Sequence, residues 1–199
     1  ATMEVSYMKG LMDKPEEFTT LASFYLYKKN PAMSAKVLEK AITNEDIDFD
    51  NTNAKLLADS WLFAKERLKS LNVIGRSLNN DPEDAKLIKQ YINIAFSAFE
   101  WDEVIRGIKK ADEAGLKDDG KFALMKGIAY FEKKSITNAK NSFIEASNSK
   151  EYKDQGIAWL EYLEALNGWL PRIWTVHFLI GLNVNDYKNR KFNKRLWDW

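Results

Sequence analysis

Gly127-Ile128-Ala129-Tyr130-Phe131, followed by Ala139, Phe143 and Ala146, sets out a small residue, an aromatic, a small, a large and a small residue at fixed spacing. The same spacing runs back along the chain. Ile92, Ala95, Val104, Ile108 and Ala111 form the copy before it, Ala58, Trp61, Ser70, Ile74 and Ser77 the one before that, and Ala22, Tyr25, Ser34, Leu38 and Ala41 the first. The final members stand 36, 34 and 35 residues apart, the period of a stacked array of helix pairs. One copy is too small to cover its own apolar stripe, so each needs the next. A repeat of this kind predicts a binding surface and not a catalytic pocket.

Helix geometry explains the residue types. Ala22, Ala58 and Gly127 let the first helix of a pair approach its partner, while Leu38, Ile74, Ile108 and Phe143 fill one register of the second helix, with Ala41, Ser77, Ala111 and Ala146 three residues later on the same face. The punctuation agrees with the period. Asp13-Lys14-Pro15 predicts a helix start capped by Asp13 and running to about Lys28; Asn30-Pro31 breaks it, and a second helix follows over Ala32 to Ile42. After the polar stretch Thr43 to Asn51, helices are expected over Thr52 to Glu66 and Arg67 to Leu78. Asn80-Asp81-Pro82-Glu83 opens a third pair that turns at Glu100-Trp101-Asp102 and closes at Gly115 in the left-handed conformation. Lys121 to Lys133 and Ile136 to Ser147 make the fourth pair, and Lys153 to Leu166, with Ile157, Leu160 and Leu163 on one face, caps it.

This spacing resembles the tetratricopeptide repeat, over Lys14 to Leu166. The third copy departs from the pattern, with Ile92 in place of a small residue and Ala95 in place of an aromatic. The resemblance implies an all-α helix-pair solenoid of four repeats plus a capping helix. It divides the chain into a repeat domain, 1–167, and a tail, 168–199.

Composition fits one such domain. With 45% of its 199 residues hydrophobic, the chain can bury a core of ordinary size. Lys and Arg total 30 against 29 Asp and Glu, which gives no overall bias toward nucleic acid or acidic membranes. The balance hides an asymmetry: residues 168–199 carry six basic and two acidic residues, net +4, which leaves the body at −3. Cysteine is absent, removing disulfides and thiolate chemistry. Ala1 to Gly10 has no apolar run of secretory length, so the chain reads as a mature or trimmed form.

The tail breaks the repeat at Gly168-Trp169-Leu170-Pro171, continues as an apolar run from Ile173 to Leu182, and ends in a basic stretch with Leu196-Trp197-Asp198-Trp199. The run falls short of the roughly 20 apolar residues a helical span needs. Three readings stay open: a last helix or strap on the body, sequence of foreign or frame-shifted origin, and a segment that lies in the groove of its own or a neighbouring array, the last allowing self-association. Its tryptophans and basic residues also suit contact with single-stranded nucleic acid, but no binding module surrounds them and the reading is disfavoured.

Nothing points to catalysis, and no catalytic, cofactor-binding or metal-binding residue is assigned. His177, the only histidine, sits in an apolar run without a nucleophile pattern. Glu16-Glu17, Asp118-Asp119 and Glu161/Glu164 read as helix-end or solvated charges. No glycine-rich phosphate loop is present.

The remaining surface is the concave face that, by the family resemblance, the first helix of each pair would line. Helical spacing places Ser23, Leu26, Lys55, Asp59, Leu62, Lys89, Asn93, Phe96, Leu124, Ile128 and Phe131 there. Leu26, Leu62, Phe96 and Phe131 hold one register in all four copies, an apolar strip suited to an extended or helical peptide unless the protein's own tail or neighbouring helices cover it. Lys89 and Asn93 resemble half of a carboxylate clamp that Lys121 and the apolar Leu124 and Met125 leave incomplete.

Leu21 to Tyr27, Ala35 to Ile42, Leu56 to Leu62, Gly115 to Lys117, Gly127 to Phe131 and Ile157 to Leu163 are more narrowly similar to the tetratricopeptide proteins encoded with TonB systems of proteobacteria. That similarity implies a periplasmic protein, without cofactor, assisting a TonB, ExbB and ExbD complex. The alternative is a general assembly or chaperone-type adaptor, for instance in the cytoplasm.

Overall fold

The computed structural model describes residues 2–118 and 120–180, with side chains described for 3–118 and 120–166. Ten α-helices follow one another with no strand among the described residues: α1 Thr2–Met8, α2 Pro15–Tyr27, α3 Pro31–Thr43, α4 Asn51–Phe63, α5 Arg67–Asn80, α6 Ala85–Ser97, α7 Trp101–Glu113, α8 Lys121–Glu132, α9 Ile136–Ser147 and α10 Lys153–Ile180. Extensive packing runs between consecutive helices, as it must when each pair is covered only by its neighbours.

The repeat positions form the core. Of the twenty signature residues, Ala22, Ser34, Leu38, Ala58, Ser70, Ile74, Ser77, Ile92, Ala95, Val104, Ala111, Ala139, Phe143 and Ala146 are fully buried and Ala41, Trp61, Ile108 and Gly127 nearly so, while Tyr25 and Tyr130 are half-buried. One apolar cluster runs from Phe18 in α2 to Ala129 in α8, and Ala139, Phe143 and Leu163 form a second between α9 and α10. The serines at small positions are satisfied inside the stack. Ser34 and Ser60 share a 2.8 Å hydrogen bond, the Ser60 hydroxyl also reaches the Leu56 carbonyl at 2.7 Å, and Ser70 donates to the Ala58 carbonyl at 2.8 Å.

The irregular third copy is accommodated by exchanging sizes across the pair. A Cβ on Gly107 of α7 would lie 2.7 Å from Ile92 Cγ1 and 3.0 Å from the Tyr91 ring, so the missing side chain on α7 makes room for the large residue on α6. In the fourth copy the roles reverse: Gly127 on α8 makes room for the Phe143 ring of α9. Packing fixes the combined volume of facing residues and leaves open which helix supplies the bulk.

The turn inside each pair is built in the same way. Lys29, Lys65, Phe99 and Lys134 all take positive φ, between 58° and 64°. The next residue's N–H reaches back to Tyr25, Trp61, Ala95 and Tyr130 respectively, at 2.8 to 3.0 Å. This wrap closes a helix with a left-handed residue, here without glycine. Gly115, at φ 65°, closes α7 as expected, with Leu116 N–H donating to the Ala111 carbonyl at 2.9 Å.

Four boundaries differ from the sequence reading; α4, expected to reach Glu66, ends at Phe63, because Lys65 already takes the left-handed conformation. The N-cap of α2 is Lys14, not Asp13; the Glu17 carboxylate accepts the Asp13 and Lys14 N–H groups at 3.2 and 3.3 Å, so the acid inside the first turn meets the exposed donors. The third pair opens later than Asn80-Asp81-Pro82-Glu83, because α5 continues to Asn80 and Asp81 accepts from Asn51 Nδ2 at 3.1 Å. Asp84 caps α6 instead, accepting from Lys86 and Leu87 N–H at 2.7 and 3.1 Å. Finally, α10 runs through the expected break at Gly168 to Pro171 as far as Ile180. Glycine and proline disfavour a helix interior by about 1 and 3 kcal/mol, a local cost that a long helix tolerates when its other residues favour continuation. The short α1 was not anticipated; it packs on α2 through Tyr7, whose ring meets Phe18 edge-on at 6.4 Å. The polar connection after α3 likewise carries a buried anchor, Ile47.

Candidate peptide-binding face

The residues expected on the inner face lie on α2, α4, α6 and α8, the first helix of each pair. Leu26, Leu62 and Phe96 are half-buried near the C-terminal ends of α2, α4 and α6, where their carbonyls accept the N–H of the left-handed turn residue at 2.9, 2.9 and 3.1 Å. Leu62 and Phe96 pack on the main core, and the Phe96 ring meets Trp101 edge-on at 5.7 Å. Phe131 holds the same register on α8 in a different setting: Trp159 and Tyr162 of α10 stand 5.3 and 5.7 Å from its ring. Leu124 and Ile128 pack with it against the α9–α10 cluster. The capping helix thus engages the α8 end of the strip.

Polar side chains tie these first helices together. Gln90 Nε2 on α6 donates to Asp59 Oδ1 on α4 at 2.8 Å, and Lys121 Nζ on α8 donates to Asn93 Oδ1 on α6 at 3.0 Å. Burial raises the Asp59 carboxyl above its ordinary value, opposed by Lys55 and by the Gln90 hydrogen bond. Lys55, Lys89, Asn93 and Ser23 are exposed. Asn93 and Lys121 therefore meet each other, and Lys89 is exposed one turn earlier on α6.

A second apolar surface was not singled out from the sequence. At the edge formed by the turns within the pairs, Tyr27 is 80% exposed, Phe63 67% and Leu68 60%. Tyr27 and Phe63 share a register one residue beyond Leu26 and Leu62, so the signal was present as two aromatics one repeat apart. Leu26, Lys29, Pro31 and Phe63 line a cleft of about 330 Å³ there.

Among the described residues no group of three or more His, Cys, Asp or Glu could hold a metal ion, and no helix is long and apolar enough to cross a membrane. The backbone of His177 lies in α10 and its side chain is outside the described residues, as is everything beyond Ile180, including the basic stretch considered for nucleic-acid contact and self-association.

No protein-family model matches the chain, and no curated protein matches it. Solved structures do. A crystal structure of MamA is similar with a TM-score of 0.54 at 18% identity, covering 76% of this chain and 86% of that one. A MamA structure from AMB-1 reaches a TM-score of 0.56 at 15% identity, covering 86% and 95%. The fold is a tetratricopeptide-type helical-repeat solenoid. At these identities the likeness concerns the fold alone, and it spans most of both chains, so the solenoid as a whole, and not one helix pair, is what they have in common.

Proposed function

We propose that this chain is a non-enzymatic interaction scaffold that holds an extended or helical peptide against α2, α4 and α6. The observation that carries the reading is the recurrence of Leu26, Leu62 and Phe96 at one half-buried register on three successive first helices. A partner helix or strand laid across them would cover the exposed part of each apolar side chain. Lys55, Asp59, Lys89 and Asn93 flank the strip and supply polar contacts. The α8 residues Leu124, Ile128 and Phe131 would form the closed end of the site, since Phe131 already packs on α10.

The specific version of this reading is an accessory component of a TonB-dependent transport system in the periplasm, with TonB, ExbB or ExbD as partner. It rests on the resemblance of the segments around Leu21 to Tyr27 and Ile157 to Leu163. The test is a pull-down from a proteobacterial envelope extract with the full chain and with a Leu62→Ser/Phe96→Ser variant, read by mass spectrometry. Capture of TonB, ExbB or ExbD that the variant loses supports it. Capture of other proteins, lost in the same variant, moves the reading to a general adaptor. Capture that the variant retains removes this face from the proposal.

A further inference from the structure

The turn edge of the first two pairs is basic, unlike that of the third pair that follows them. Lys28 and Lys29 close α2, and Lys65, Arg67 and Lys69 surround the start of α5; all five are exposed, and Glu66 is the only acid among them, for a local net charge of +4 on a body that is net −3. Among the described residues, ion pairs join Arg106 to Glu103, Lys109 to Glu113 and Lys133 to Asp102, and none involves these five. Lys29 and Lys65 occupy the same left-handed turn position in consecutive pairs, so both project from one edge. Beside these turns lies the cleft of Leu26, Lys29, Pro31 and Phe63, which at about 330 Å³ has room for one large apolar side chain, with Lys65 two residues beyond Phe63 in the chain. Exposed Tyr27 and Leu68 border it in sequence, at the end of α2 and the start of α5.

We propose that this edge, which meets the inner face at Leu26 and otherwise lies outside it, is a docking site for an acidic peptide segment of a partner protein. One apolar side chain of that segment fills the cleft, and flanking Asp or Glu residues meet Lys29, Lys65 and their basic neighbours. Charge complementarity selects this occupant. Clustered cations on a low-dielectric surface attract carboxylates and speed encounter, and the apolar cleft fixes register. The basic track is too short for a nucleic-acid strand: the third pair presents Glu100, Asp102 and Glu103 at its own turn and first helical turn. The Tyr27 ring, which would be the platform for a base, already carries Lys28 Nζ 5.5 Å from its centroid.

The test is selection from a randomised dodecapeptide display library on the full chain, with depletion on a Lys29→Glu/Lys65→Glu/Phe63→Ser variant. Enriched peptides are then synthesised with a fluorophore and titrated by anisotropy. The expected result is peptides with two or more acidic residues around one Leu, Ile, Phe or Trp. Binding should weaken about tenfold or more in Lys29→Glu/Lys65→Glu and in Phe63→Ser, and fall as salt rises from about 50 to about 300 mM. Phe96→Ser and Lys89→Glu, on the inner face, should leave it unchanged, so failure here and failure of the inner-face reading are separable. Lys29, Lys65, Phe63 and Lys89 are exposed and Phe96 is half-buried against the core, so circular dichroism of each variant checks that the fold is retained. Enrichment of peptides without acids, affinity indifferent to Lys29 and Lys65, or no enrichment overturns the proposal. So does edge-dependent binding of a single-stranded oligonucleotide, or a dimer in sedimentation that Phe63→Ser abolishes.

Discussion

Gly156→Ala reverses the usual effect of replacing a helical glycine. In an ordinary helix interior the change stabilises by about 1 kcal/mol, because alanine loses less backbone freedom on folding. In α10, however, the added Cβ would stand 2.5 Å from the Ser147 N and 2.8 Å from both the Phe143 O and the Ser147 Cα. These are backbone atoms of α9 that no rotamer change can move. Restoring a normal contact distance displaces α10 by about 1 Å. That shift disturbs the 4.9 Å stack of Trp159 on Phe143 and the seat of buried Leu163. Overpacking costs about 1–3 kcal/mol and a weakened aromatic stack about 1 kcal/mol, so after subtracting the propensity gain of about 1 kcal/mol the net loss is about 1–3 kcal/mol. Urea unfolding followed by far-UV circular dichroism measures it. Amide exchange locates it, with protection falling over residues 153–163 and unchanged in α2 to α5. Gly75→Ala is the control: its Cβ meets only Tyr91 Cε2, at an ordinary 3.4 Å, and should raise the midpoint. If Gly156→Ala stabilises as Gly75→Ala does, the close crossing of α9 and α10 is not what holds the cap.

Replacing Lys134 or Glu45, which hold φ of 60° and 64°, by glycine should stabilise by about 0.5–1 kcal/mol each, since the left-handed penalty outweighs glycine's entropy cost; unchanged urea midpoints would count against strain at these turns. Ser60→Ala leaves the buried Ser34 hydroxyl without its partner and should cost about 1–3 kcal/mol, with the Ser34→Ala/Ser60→Ala double variant losing less than the two single losses added together. The Tyr91 phenol donates to the Glu103 carboxylate, and burial followed by that contact raises its pKa above the ordinary 10.0. The raised value means that the folded state holds the proton more tightly, so this stability is fully present below pH 10 and is lost as pH rises beyond it; thermal melts from pH 8 to 11 should show a steeper decline in the native chain than in Tyr91→Phe.

Much of the packing was legible because it is local. A helix repeats every 3.6 residues, so a face that must be buried leaves its period in the sequence whatever lies opposite. That is why the registers of Leu38, Ile74, Ile108 and Phe143 all proved to be core. The caps were less legible because several residues compete for the same donors. Asp13 stood beside Glu17 and Asp81 beside Asp84, and in each case the later acid reached the exposed N–H groups.

The inner-face strip shows where sequence reading stops. Leu26, Leu62, Phe96 and Phe131 are equivalent in spacing, yet only Phe131 packs against Trp159 and Tyr162, tilted to the first and edge-on to the second. Register is a property of one helix, whereas exposure depends on which neighbour arrives and how closely. The sequence by itself therefore determined the repeat, its period and the side of each helix that faces inward. Tertiary structure decided that Gly107 would absorb Ile92, that α10 would close over one end, and that Lys29 and Phe63 would line one cleft. Those outcomes depend on contacts between helices, which no local periodicity records.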